Sequence, residues 1–148
     1  MQTKIKQLKL LIHLEENKKT KALADYTKAN NSYKNFVIQH KQLIEYRGEY
    51  YQRLYGKDET MQATSLILYH QFIEKLNAVI KEQDKKVKSS KQQSDLLFKK
   101  FITIRQKMEG LDKLLTVELE NEINSERKKE QKQYDESASN QWYINRKD

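Results

Sequence analysis

Cysteine and proline are absent, glycine occurs three times, and only 36% of the 148 residues are apolar. Without cysteine there is no disulfide framework and no thiolate metal site. Without proline, and with so little glycine, the residues that most often break helices or build tight turns are missing. No stretch approaches the ~18 consecutive apolar residues that a membrane-spanning helix needs. The basic opening, residues 1–9, is not followed by the apolar region of a signal peptide. A soluble, cytoplasmic chain is therefore expected, one elongated or small globular unit without a large core. What remains is rich in Lys, Glu, Gln, Leu and Ala, all good helix formers. A mean hydropathy of −1.01 with 34% charged residues would also suit disorder. Periodicity must decide between a solvated chain and a thin coiled coil.

Steps of three and four residues give the N-terminal seam Ile5, Leu8, Ile12, Glu15, Lys19, Ala22, Tyr26, Ala29, Tyr33, Phe36, His40, Leu43, Arg47, Tyr50 and Leu54, eleven of fifteen apolar. The same walk in the second half gives Tyr69, Ile73, Leu76, Ile80, Gln83, Val87, Ser90, Ser94, Leu97, Phe101, Ile104, Met108, Leu111 and Leu115, eleven of fourteen apolar. A 3.5-residue repeat held this long is a coiled-coil seam. Between the two lies Gly56-Lys57-Asp58-Glu59-Thr60, where register is lost and turn residues gather. The fold class expected is all-α: two long helices in an antiparallel coiled-coil hairpin, helix one over about 3–55, a turn over about 56–63, helix two over about 64–138, and a frayed tail at 139–148.

Pairing positions whose numbers sum to 123 needs no insertion. It stacks His40 on Gln83 in one polar layer and sets Tyr33 against Ser90 and Ala22 against Phe101. A polar layer costs stability but specifies register. A parallel homodimer would bury His40 on His40 and Arg47 on Arg47, so the intramolecular hairpin, a monomer, is preferred. The paired section would be ~75 Å long, with an overhang of ~30 Å beyond Glu118. That overhang carries a weak apolar stripe of Leu115, Leu119 and Ile123, then a charged run at 126–130. It either receives another molecule or remains a solvated helix.

Near the turn the seam leaves apolar residues over. Leu43 and Tyr50 occupy heptad position d, so Gln39, Tyr46 and Arg53 occupy g; on helix two Ser65, Phe72 and Val79 occupy g. Antiparallel pairing brings both g rows to one edge, and Tyr46, Phe72 and Val79 should form an apolar patch where charges ordinarily sit. Such a patch marks a protein contact, or else a wide stripe thickens the coil.

Enzymatic chemistry finds little support. Gly48, Gly56 and Gly110 make no phosphate loop, and His13, His40 and His70 lack metal-ligand spacing. No metal or other cofactor is expected, paired carboxylates such as Glu15 and Glu16 should be solvated, and a coil offers no concave pocket for acid-base work. Net charge is +5 over residues 1–60, +5 over 61–117 and −2 over 118–148. Lys81, Lys85, Lys86, Lys88 and Lys91 form the densest basic stretch. A solvated coil face is the expected meaning; the alternative is a basic coiled coil that binds nucleic acid, although Arg-rich groove readers look different.

Three strings carry a family resemblance. They are Leu43-Ile44-Glu45-Tyr46-Arg47-Gly48-Glu49-Tyr50; Tyr69-His70-Gln71-Phe72-Ile73-Glu74-Lys75-Leu76, continuing through Val79-Ile80; and Glu130-Gln131-Lys132-Gln133-Tyr134-Asp135-Glu136-Ser137-Ala138. In order and spacing they resemble the FliJ family, small stalk proteins of the flagellar type III export apparatus; virulence secretion systems have related stalks, the alternative assignment. The resemblance implies a nonenzymatic rod, similar to the rotary ATPase gamma-subunit coiled coil. It would enter the ring of the hexameric export ATPase FliI, promote ring assembly, and link the ring to the export gate protein FlhA and to export chaperones, at the inner-membrane export apparatus. Carried over by position, the gate and chaperone contacts fall on Gln39, Leu43, Tyr46, Tyr50, Phe72, Leu76, Val79 and Gln83. Gln39, Tyr46, Phe72 and Val79 are the outward ones. Val79 and Gln83 stand where some relatives carry alanine and histidine. The resemblance places the ATPase at the open end, with Leu119, Ile123, Glu130, Gln131, Lys132, Asp135 and Glu136 as its candidate contacts. Lys132 can pair there with Asp135 and Glu136.

Overall fold

The computed structural model describes residues 2–55 and 63–146. They form two helices, α1 (Gln2–Tyr55) and α2 (Ala63–Arg146). The expected turn string, residues 56–60, lies outside the described residues. The second helix runs further than the expected end at 138: residues 139–146 are helical to Arg146, although all are exposed. Nothing in Ser139 to Arg146 breaks a helix, and Arg146 lies over the Trp142 ring one turn back, 4.7 Å from its centroid.

The chain divides into two compact units, residues 1–19 with 103–148, and residues 20–102. In the second of these the helices pair antiparallel, with Tyr26 and Phe98 rings 5.2 Å apart, Gln39 bonded to Gln83, Arg47 to Asn77, and Tyr50 and Phe72 rings 4.5 Å apart. Those pairs sit within one of the constant 123. Ala22, Leu54, Ile73, Leu76, Ile80, Gln83 and Ser94 are its buried residues. In the other unit Lys4 reaches Glu118 and Lys107 reaches Glu15, again within one of 123, over a core of Ile5, Leu8, Glu15 and Met108. Every one of these eleven buried residues is a seam position, and the other seam positions are half-buried. Two helices bury only one stripe each, so among the described residues no side chain is wholly sealed from solvent. Small residues lie against large ones: Ala22 at the level of Phe101, Ser90 at the level of Tyr33. The Ser90 hydroxyl donates back to the Val87 carbonyl at 3.0 Å, which spares it a cross-helix partner.

Candidate functional site

The edge patch forms within residues 20–102. Tyr46 and Phe72, each a g residue of its helix, meet edge to face with centroids 6.3 Å apart, and both stay more than a third exposed. Tyr50, one turn on in the seam, packs against Phe72, Tyr69 at 5.6 Å and Tyr46 at 5.1 Å. The Tyr46 and Tyr50 hydroxyls are 3.3 Å apart, and that bond, followed by burial, raises the Tyr50 pKa. The Arg53 guanidinium lies over the Tyr50 ring, 5.6 Å from its centroid. Four rings and a guanidinium thus make a fixed surface, because each ring is held by the next. Val79, two turns along, is exposed on the same row.

The other carried-over positions divide by their place in the heptad. Leu76 is buried and Leu43 half-buried, so they shape the interface between the helices. Gln83 is buried and donates to the Phe36 carbonyl at 3.3 Å and to the Gln39 side-chain oxygen at 3.1 Å. Gln39, exposed on the edge, is thereby fixed from within the seam.

Polar seam residues find partners that spacing alone does not disclose. His40 and Gln83 share a level, but Gln83 turns to Gln39 while His40 Nε2 lies 4.0 Å from Asp84. Arg47 donates to Asn77 at 3.0 Å. Glu15, expected to be solvated, is instead buried at 5% exposure, with Lys107 at 3.1 Å and Lys18 at 3.3 Å. Its d position forces the carboxylate inward, and both lysines, at g, reach back over it with exposed stems. The Lys107 hydrogen bond, opposed by burial and joined by Lys18, holds its pKa below the usual carboxylate value. Among the described residues no buried side-chain polar atom lacks a hydrogen-bond partner.

Within residues 1–19 and 103–148 the seam continues as Glu118, Glu122 and Ser125, all half-buried. Leu119 and Ile123 therefore stand off it and are exposed, because their four-residue spacing drifts away from a 3.5 repeat. With Glu122, Glu126, Arg127 and Glu130 they line a shallow groove along α2. Gln131, Lys132, Asp135 and Glu136 are exposed beyond it, and no ion pair joins Lys132 to Asp135 or Glu136 among the described residues. A second apolar group lies on the g edge of this unit: Leu11 and Leu114 at g, with Leu14 and Val117 at c, each about half exposed. Extending the g rows past the tip would have found it, since these rows are polar between the two patches, at Lys18, Asp25, Ser32, Lys86, Gln93, Lys100 and Lys107.

The five lysines between 81 and 91 are exposed; Lys85 pairs with Glu82 at 3.3 Å and Lys88 with Asp84 at 3.0 Å, both within α2. Among the described residues no helix is long and apolar enough to cross a membrane, and no group of His, Asp and Glu is arranged to hold a metal ion. The comparisons with curated proteins and with solved structures found no match. A family description, "Flagellar FliJ protein", matches residues 3–147.

Proposed function

The chain belongs to the FliJ family, a component of flagellar type III protein export, and from that we propose that it works as the stalk of the export ATPase. Its open end would dock into the FliI ring and promote ring assembly. The tip edge would contact the export gate protein FlhA and unloaded export chaperones. No chemistry is assigned to the chain itself; it acts by presenting surfaces. The observation that carries this reading is that each compact unit has an exposed apolar group centred on its own heptad g positions, where charged residues ordinarily sit. One is the aromatic cluster of Tyr46, Tyr50 and Phe72, the other the aliphatic group of Leu11, Leu14, Leu114 and Val117. Exposed large apolar side chains that are clustered, and rimmed by charge, favour protein contacts.

The deciding experiment is co-purification with the hexameric ATPase, read as stimulated ATP hydrolysis. The open-end variant Leu114→Glu/Val117→Glu should abolish stimulation while helicity persists. The tip variant Tyr46→Ala/Phe72→Ala should keep stimulation and lose gate or chaperone capture. Stimulation that survives the open-end variant removes the aliphatic group from the account, and capture that survives the tip variant removes the aromatic one.

A further inference from the structure

Gly48 lies in the interior of α1, with no backbone strain to relieve and nothing within 4 Å of where a Cβ would stand. A mid-helix glycine destabilises a helix relative to alanine, since it loses more backbone freedom on folding, and nothing within 4 Å of its Cβ position offsets that. Its surroundings are not typical of a solvated face. Ile44, Gly48, Tyr51 and Tyr55 follow at intervals of four, three and four, one strip down the helix, and the three side chains are 38%, 37% and 69% exposed. Tyr51 and Tyr55 stack, with centroids 6.2 Å apart and planes 24° from parallel. The strip runs along heptad positions e and b, the edge opposite Tyr46 and Phe72, where α2 presents the polar residues Asn77 and His70. The glycine is thus an unfilled notch in an exposed apolar strip.

Charge narrows the choice of occupant. Glu45 and, across the edge on α2, Glu74 flank the notch, both exposed and neither ion-paired among the described residues. The two arginines of this stretch are engaged elsewhere, Arg47 with Asn77 and Arg53 over Tyr50. Lys41 and Lys81 stand beyond the far end of the strip. An acidic fringe around two stacked tyrosines, on a chain whose net charge is +8, favours a cation-bearing partner and disfavours a second copy.

We propose that the strip Ile44, Gly48, Tyr51 and Tyr55 is a docking groove for a cationic amphipathic α-helix of a partner protein. The partner's backbone would approach closest at Gly48, its apolar face would cover Ile44 and the tyrosines, and its Lys or Arg side chains would meet Glu45 and Glu74. This surface is separate from the g-edge patches and does not depend on the function assigned to them.

The test uses the full chain and a fluorescein-labelled helical peptide of Leu/Lys heptads, read by fluorescence anisotropy at physiological salt. The net positive charge of the protein opposes general attraction of such a peptide, so saturable binding reports a local site. Gly48→Ala should raise the thermal midpoint yet weaken binding roughly tenfold or more, since the added methyl fills the notch. Glu45→Lys/Glu74→Lys should abolish binding, and Phe72→Ala should leave it unchanged. A Leu/Glu peptide of the same length should not bind. Three results would each overturn the proposal: unchanged affinity in Gly48→Ala, equal binding of the Leu/Glu peptide, or a chain that dimerises in sedimentation and loses the dimer in Gly48→Ala.

Discussion

At the scale of single residues, Glu15 is the side chain whose behaviour departs most from its type. A carboxylate at heptad d would ordinarily be costly, but Lys107 and Lys18 meet it with charge-assisted bonds, and its folded pKa falls below the ordinary value of about 4.5. A depressed folded pKa stabilises above the unfolded value and loses that contribution as pH falls through the folded one. The thermal midpoint of the wild type should therefore exceed that of Glu15→Gln at neutral pH, with the gap shrinking below about pH 4.5. A gap independent of pH would mean that Glu15 acts by packing alone. Leu76 contributes apolar burial instead; it is 7% exposed, and Leu76→Ala should cost about 2–5 kcal/mol in denaturant unfolding. Ala22 is 3% exposed in the seam, and enlarging it by Ala22→Leu should cost about 1–3 kcal/mol by the same measurement.

At the scale of the helices, the question is what holds each segment in place. Residues 131–146 of α2 are exposed throughout, so only backbone bonds and local pairs such as Arg146 over Trp142 maintain the helix there. Hydrogen exchange should be fast in this stretch, and removal of residues 139–148 should leave the unfolding midpoint of the remainder unchanged. Gly110, also inside α2, has nothing within 4 Å of an added Cβ. Gly110→Ala should stabilise by roughly 0.5–1 kcal/mol, visible as a higher midpoint in circular dichroism.

For the whole molecule, the polar seam residues bear on oligomeric state. His40, Arg47 and Glu15 each meet a partner on α2 of the same chain, Asp84, Asn77 and Lys107, within one unit or the other. A parallel dimer would forfeit all three and set like charges together. Sedimentation equilibrium should accordingly return the monomer mass of 17.8 kDa over a wide concentration range. The net charge of +8 also predicts weak attraction to nucleic acid that disappears as salt is raised, since two lysines of the densest basic stretch, Lys85 and Lys88, are ion-paired. Binding that persists at physiological salt would favour the nucleic-acid reading of that stretch.

The seam, the antiparallel register and the meeting of Tyr46 with Phe72 were all legible before any coordinates. Each follows from a 3.5-residue period and a constant index sum, which are properties of position along the chain. The fate of the polar residues was not, because a long side chain chooses its partner by reach and direction across the interface. Periodicity puts Glu15 and Gln83 in the seam, but only the packed helices bring Lys107 over one and Gln39 beside the other. The helical end of α2 was hidden for a related reason: exposed residues carry no period, so propensity and a local ring contact decided it. Likewise Gly48 reads in the sequence as one glycine among three, and it becomes a notch only once the packed chain leaves the space above it empty.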